Sequence, residues 1–299
     1  MSLEIRSANI DLYKHKIHNW FDEQQAIFSV ESQILQWLKD NGEDKDVLGN
    51  RSSSLLINKL IYFISERLEK TNPSLVISRG WYKYGPCFEH GRKGEESMSL
   101  FAFDKHKTVS RILPEVSQEC EQQVPKYLKS LEKDGSFPYG YIHYIYSERC
   151  NYPWLQEYYL GKHRLSQVLS DLEHGKTKEK DIIKAFIDFD RAIINTKYQK
   201  EINVRQIDID KILEVTALLS CTARDPENSK TEYFRNMRTY FTENVLLAFA
   251  IKNYERTLHT GTLGFQKLIA ENMENNYKNY LQDIPDKLRF YYSLMPTNA

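Results

Sequence analysis

The sequence predicts a mainly α-helical protein, a multi-helix bundle with a small irregular or β-containing insert near residues 75–113. Two observations favour this fold class. Apolar residues recur at helical spacing along most of the chain, whereas one stretch combines a short β-branched run with an aromatic turn containing glycine and proline. With 41% hydrophobic and 27% charged residues, the composition is that of a folded globular protein.

Two helices are expected ahead of the insert. The apolar pattern of the first begins at Trp20 and stops at Asn41-Gly42, a pair that favours a helix end. The second follows a polar loop and ends at Asn72-Pro73, because proline disfavours helical backbone in the residue before it. The apolar face of this second helix follows i, i+4, i+7, i+8 spacing: Leu56, Leu60, Phe63, Ile64 and Leu68.

The insert is where β structure is plausible. Residues 75–77, Leu-Val-Ile, are typical of a strand. Residues 79–86 follow with the sequence Arg-Gly-Trp-Tyr-Lys-Tyr-Gly-Pro. Because proline restricts the residue before it, the Gly85-Pro86 pair predicts a turn, beside which three aromatic and two cationic side chains are crowded.

The remaining chain is predicted to be helical from Trp154 onward. Glycines and an Asp-Pro pair mark the expected breaks. The helices are expected to run from Trp154 to His174, from Thr177, from Ile207 to Cys221, from Asp225-Pro226 and from Leu263, with a short terminal helix after Pro285.

The domain organisation depends on the turn-rich stretch between Gly135 and Pro153. A boundary there gives an N-terminal helical region, residues 1–135, that carries the aromatic Gly-Pro loop, and a C-terminal helical region, residues 136–299. A single domain spanning residues 19–295 is the alternative.

Charge and hydropathy argue against two classes of protein, dedicated nucleic-acid binders and membrane-spanning proteins. Lysine and arginine number 41, as do aspartate and glutamate, so the chain lacks the basic excess of a dedicated nucleic-acid binder. Nucleic-acid binding is therefore expected to be weak and local. No apolar run is long enough for a membrane span, and the N-terminal residues lack an apolar signal core. These features predict a cytoplasmic protein.

Motifs for catalysis or metal binding are not evident in the sequence. Asp181, Asp188 and Asp190 would suit a nuclease, but the interspersed lysines and arginine favour a solvated helix face. We predict neither a cofactor nor a metal site. The four cysteines are scattered without metal-ligand spacing, as is typical of a reducing compartment: Cys87, Cys120, Cys150 and Cys221.

Two short motifs resemble a known family. Residues 58–63, Asn-Lys-Leu-Ile-Tyr-Phe, are followed by residues 81–86, Trp-Tyr-Lys-Tyr-Gly-Pro. Together they resemble the Panacea-type antitoxin domain and archaeal predicted regulators with a Tyr-x-Tyr-Gly-Pro turn. The resemblance covers about residues 55–90, and it implies a helical interaction or regulatory module rather than an enzyme.

We therefore predict a non-catalytic interaction or regulatory protein that binds a protein partner and is linked to toxin neutralisation or mobile elements. The alternative is a nucleic-acid-processing enzyme whose site is assembled from dispersed residues. A core position for Trp81 and Tyr84, filling a gap between helices, competes with the binding interpretation. The predicted partner-binding residues are Arg79, Trp81, Tyr82, Tyr84, Gly85, Pro86, His90 and Arg92.

Overall fold

The computed structural model describes residues 10–88, 109, 111–134, 137–173, 177–224, 231–261, 275 and 277–293. Within these residues the chain is mainly helical, with a two-stranded antiparallel hairpin inside the predicted insert, so the predicted fold class is confirmed. The chain divides into two compact units. Unit 1 comprises Met1–Ile145 and Thr257–Ile269, and unit 2 comprises Tyr146–Arg256 and Ala270–Ala299.

Unit 1 is a group of helices with a hairpin packed against one of them. Its elements are α1 (Trp20–Asp40), α2 (Asp44–Leu48), α3 (Ser53–Thr71), β1 (Arg79–Tyr82), β2 (Gly85–Phe88), α4 (Pro114–Asp134) and α5 (Tyr139–Tyr144). The Asn19 side chain caps α1 by accepting a hydrogen bond from the Asp22 backbone N–H. Helix α3 packs against α4, α1 and β2, and this position makes it the centre of the unit.

The burial of α3 explains its sequence. The helix is apolar on more than the single face its spacing predicts, as expected of a helix with neighbours on several sides. Lys59 lies among its buried residues, which makes it an exception to the rule that lysine stays in water. The buried residues of α3 are Leu56, Ile57, Lys59, Leu60, Ile61, Tyr62, Phe63, Ile64, Ser65 and Leu68.

Unit 2 is built from helices in the part of the chain that the structure describes. Its elements are α6 (Pro153–Glu173), α7 (Glu179–Ile194), α8 (Thr196–Ile202), α9 (Gln206–Arg224), α10 (Glu232–Tyr240), a π-helical turn (Phe241–Val245), α11 (Leu246–Thr257) and α12 (Ile284–Ser293). Helix α6 packs along α7, and α7 packs on α9. A side chain at Gly161 would lie 2.9 Å from the Asp188 carbonyl oxygen, so this glycine permits the close approach of α6 to α7.

Some predicted element boundaries differ from those of the structure. Residues 136–153 fit strand or helix equally well in sequence, and the structure gives α5 and a π-helical turn, Ile145–Arg149. The predicted helix starts at Asp225 and Leu263 lie outside the described residues. The predicted boundary after residue 135 concerns domains that fold independently, and it stays a prediction.

Candidate partner-binding site

The hairpin turn lies two residues earlier than the Gly-Pro pair suggests. Tyr82 pairs with Gly85 in the antiparallel register, so Lys83 and Tyr84 form the turn, and Gly85 and Pro86 open β2. Gly85 has a φ of 99°, a backbone conformation that side chains disfavour and glycine tolerates. The glycine is thus needed directly after the turn.

Two of the predicted partner-binding residues point into unit 1. Trp81 is 1% exposed. Its indole N–H donates to the Tyr62 hydroxyl at 3.1 Å, and its backbone N–H donates to Thr257 Oγ1 at 2.7 Å. Arg79 is 6% exposed, and its guanidinium lies 5.9 Å from the centre of the Tyr62 ring. These two side chains hold the hairpin in place from inside unit 1, and neither presents much surface.

A carboxylate balances the buried Arg79 charge. Glu69 on α3 forms an ion pair with Arg79, and its other oxygen lies 2.8 Å from Nε2 of His259. Desolvation opposes ionisation of Glu69, but hydrogen bonds and charge from Arg79 and His259 outweigh it and lower the pKa of the carboxyl group. Glu69 is therefore ionised at neutral pH, and the inner side of the hairpin is electrostatically satisfied.

A distant part of the chain completes the edge of β1. The backbone groups of Arg79 and His259 exchange two hydrogen bonds of 2.9 and 2.8 Å. Ser78 Oγ also donates to Thr260 Oγ1 at 2.9 Å. Strand edges with unpaired backbone groups can pair with other strands. The segment around His259 therefore protects the edge of β1 at Arg79.

The outer side of the turn carries exposed aromatic side chains. Tyr84 is 39% exposed and Tyr139 is 48% exposed, and Phe137 lies half-buried between them. Ring centres are 5.2 Å apart for Tyr84 and Phe137, and 4.6 Å apart for Phe137 and Tyr139. The Lys83 ammonium lies 5.3 Å from the Tyr84 ring centre. We refer to Tyr84, Phe137 and Tyr139 as the aromatic ridge.

Next to the ridge is a small cleft with a volume of about 150 Å³. Helix α3 supplies one wall, and the hairpin supplies the other. The cleft is lined by Ser54, Leu55, Asn58, Lys59, Tyr82, Tyr84, Gly85 and Cys87. Tyr84 belongs to both the cleft and the ridge, which joins the two into one surface.

The polar groups of the cleft wall are incompletely satisfied. Lys59 is 3% exposed, and its ammonium donates to the Pro86 carbonyl oxygen at 2.8 Å. No ion pair to this ammonium occurs among the residues that the structure describes. Burial lowers the pKa of Lys59 to about 8, although the Cys87 thiol acts in the opposite direction. A charged Lys59 therefore has spare donor capacity at the cleft.

Asn58 adds an unsatisfied acceptor to the same wall. Its side-chain N–H donates to the Ser54 carbonyl oxygen at 2.7 Å. Its Oδ1 atom is buried and accepts no hydrogen bond within the described part of the chain. Buried polar atoms normally have partners, so two neighbouring lining residues, Asn58 and Lys59, each keep unused hydrogen-bonding capacity.

The structure thus brings together only part of the predicted site. Gly85 and Pro86 are buried backbone supports, Tyr82 is half-buried in the cleft wall, and Tyr84 reaches the surface. The remaining two predicted residues, His90 and Arg92, lie outside the described residues.

Sequence reasoning missed four residues of this surface: Asn58, Lys59, Phe137 and Tyr139. A signal for Lys59 was present, because it lies three residues after Leu56 and therefore on the apolar face of α3. Phe137, which precedes α5, and Tyr139, its first residue, could not be found this way, since their proximity to Tyr84 arises from tertiary packing.

Two of the three aspartates considered for a nuclease site have structural partners in unit 2. Asp188 forms an ion pair with Arg164, and Asp190 accepts a hydrogen bond from Thr216 at 2.8 Å. Asp181 is exposed. Over the described residues, no group of three or more histidine, cysteine, aspartate or glutamate side chains is arranged to hold a metal ion. None of the described helices combines the length and apolar character needed to cross a bilayer.

Comparison of the chain with family models, with curated proteins and with solved structures found no significant match.

Proposed function

We propose that this chain is a non-catalytic interaction protein that binds a protein partner through the aromatic ridge and the adjoining cleft. The single observation that carries the proposal is the ridge itself, three neighbouring aromatic rings of which two are more than a third exposed. Tyrosine-rich surfaces are typical of interface centres, because the rings bury area at low cost in conformational entropy.

The support beneath the ridge favours recognition by a preformed surface. Tyr84 is in a two-residue turn whose strands are held by the buried Trp81 and by the Arg79–Glu69 ion pair. Residues held in this way lose little freedom on binding, and preorganisation of this kind strengthens an interface. The resemblance to Panacea-type antitoxin domains makes a toxin, or a protein of a mobile element, the first partner to test.

The alternative function is a nucleic-acid-processing enzyme. Of the three aspartates considered for it, Asp188 pairs with Arg164 and Asp190 accepts a hydrogen bond from Thr216. These contacts lie at separate places, so the described aspartates do not form a converging catalytic set. The enzyme stays a prediction.

The proposal is tested by co-purification from the native host, followed by mass spectrometry. We expect Tyr84→Ser and Tyr139→Ser to lose a partner that the unchanged protein captures, while both variants keep their helical circular dichroism. Phe290→Ser is the matched control, because Phe290 is an aromatic residue of unit 2 that is 54% exposed. Equal capture by all four proteins would contradict the proposal.

A further inference from the structure

The cleft beside the aromatic ridge is lined by residues with buried polar groups that a purely apolar ligand would leave without further partners. Its lining residues include Lys59, which is almost fully buried and whose ammonium has one carbonyl oxygen as acceptor. They also include Asn58, whose buried Oδ1 atom has no donor among the described residues. Burying a charge without a counter-ion is costly. An anion bound in the cleft would therefore offset the desolvation cost of the Lys59 ammonium.

The number and type of these groups limit the ligand. One ammonium matches a singly charged anion, whereas a phosphate group is usually held by several cationic or N–H donors. The Asn58 oxygen requires a donor and would repel a second negative oxygen. An aspartate or glutamate residue of a peptide supplies both partners, because its carboxylate accepts from Lys59 and a peptide N–H donates to Asn58.

We propose that this cleft is a carboxylate-binding subsite that takes an acidic side chain of the protein partner. The inference rests on the proposed function, and it adds what the partner must present. The acidic residue would enter between α3 and the hairpin, while neighbouring residues of the partner contact the exposed ring of Tyr84.

The size of the cleft agrees with this occupant. A volume of about 150 Å³ accommodates a short side chain and not a folded element. The aromatic ridge, which adjoins the cleft through Tyr84, provides the contact area that one carboxylate lacks. Acidic recognition and aromatic contact are therefore separable by mutation.

The test uses the full chain and a random library of short synthetic peptides, acetylated at the N-terminus and amidated at the C-terminus. Side chains then supply every carboxylate. We expect the unchanged protein to enrich peptides that contain glutamate or aspartate over their glutamine or asparagine counterparts. This preference should fall by at least about tenfold in Lys59→Met, as a lost charge-assisted hydrogen bond predicts.

Two further variants make the result specific. Lys70→Met removes an exposed lysine from the same helix and should keep the acidic preference. Asn58→Asp introduces a carboxylate into the cleft wall and should abolish the preference even if Lys59→Met does not fold. Circular dichroism and denaturant midpoints of each variant report on folding.

The outcomes separate the two proposals. An acidic preference that survives in Lys59→Met and Asn58→Asp overturns the subsite. Enrichment of aromatic peptides without acidic preference leaves the proposed function standing and also overturns the subsite. A stronger preference for phosphoserine than for glutamate replaces the carboxylate by a phosphopeptide. If no peptide is enriched, yet sodium acetate stabilises the protein in a Lys59-dependent manner relative to sodium chloride, the ligand is a free acid and the proposed protein partner is wrong.

Discussion

The hairpin region of unit 1 and the core of unit 2 are both rich in aromatic residues, but the rings are partly exposed near the hairpin and buried in unit 2. In unit 2, Tyr158 and Tyr198 stack with ring centres 5.0 Å apart and planes 6° apart, and Phe189 and Phe249 surround them. All four are at most 2% exposed. Near the hairpin, exposed rings and a buried ammonium lie side by side. Aromatic content alone therefore does not distinguish a core from a binding surface; burial and the satisfaction of polar groups do.

The largest expected effect is in the unit 2 core. Phe249→Ala removes a ring that is 1% exposed and that contacts three aromatic neighbours. We expect the free energy of unfolding to fall by about 3–5 kcal/mol, because a lost buried ring leaves a cavity. Urea denaturation followed by circular dichroism measures this change. A loss below about 1 kcal/mol would show that the core repacks easily. The contrast between a tightly packed aromatic core in unit 2 and exposed rings near the hairpin would then be wrong.

The next effect concerns the buried charge of the hairpin region. The pKa of Lys59 lies at about 8 in the folded protein, below its ordinary value of 10.5. At pH values between these two, the unfolded chain binds more protons at this site than the folded chain, so stability rises with pH. Below pH 8 the charged group costs the folded state on the order of 3 kcal/mol, from a pKa difference of about 2.5 units.

Lys59→Met removes this cost while it keeps a side chain of similar length. We expect the variant to be more stable than the unchanged protein at pH 7.5, with the difference shrinking by pH 9.5. Urea midpoints at both pH values measure the change. Parallel pH profiles of the two proteins would mean that Lys59 titrates normally and that the cleft holds no uncompensated charge.

A smaller effect distinguishes two tyrosines within the unit 2 stack. Tyr198 donates its hydroxyl proton to Asn253 Oδ1 at 3.0 Å, whereas the Tyr158 hydroxyl has no hydrogen-bond partner among the described residues. Tyr198→Phe should cost about 1–2 kcal/mol, because it takes a donor from a buried amide. Tyr158→Phe should be neutral or stabilising. Thermal or urea denaturation of the two variants measures the contrast, and equal effects would contradict it.

The smallest stability effect is expected on the aromatic ridge. Tyr84→Ser changes a ring that is 39% exposed, so the free energy of unfolding should change by no more than about 0.5 kcal/mol. The same denaturation measurement used for Phe249→Ala checks it. A loss of several kcal/mol would assign Tyr84 to the core, and the ridge would then be part of the packing rather than a surface.

The sequence predicts the fold class because its main signal, helical spacing of apolar residues, is local. It also places the β-containing insert, although the residues predicted to form a strand, 75–77, lie outside both strands and β1 begins at Arg79. The orientation of the hairpin is not local. Arg79 and Trp81 turn inward because α3 offers Glu69 and Tyr62, and Tyr84 turns outward beside α5. Residue types in the loop could not show which side each would take.

The backbone pairing of β1 with the segment around His259 also has a consequence for the order of events during synthesis of the chain. Trp81 and the hydroxyl that accepts from its backbone N–H, on Thr257, are separated by 176 residues. During synthesis at about 5–20 residues per second, this segment emerges roughly 9 to 35 seconds after the hairpin. Until then the edge of β1 is open to other strands or to a chaperone, and a nascent chain that stops before residue 257 keeps that edge open for as long as it persists.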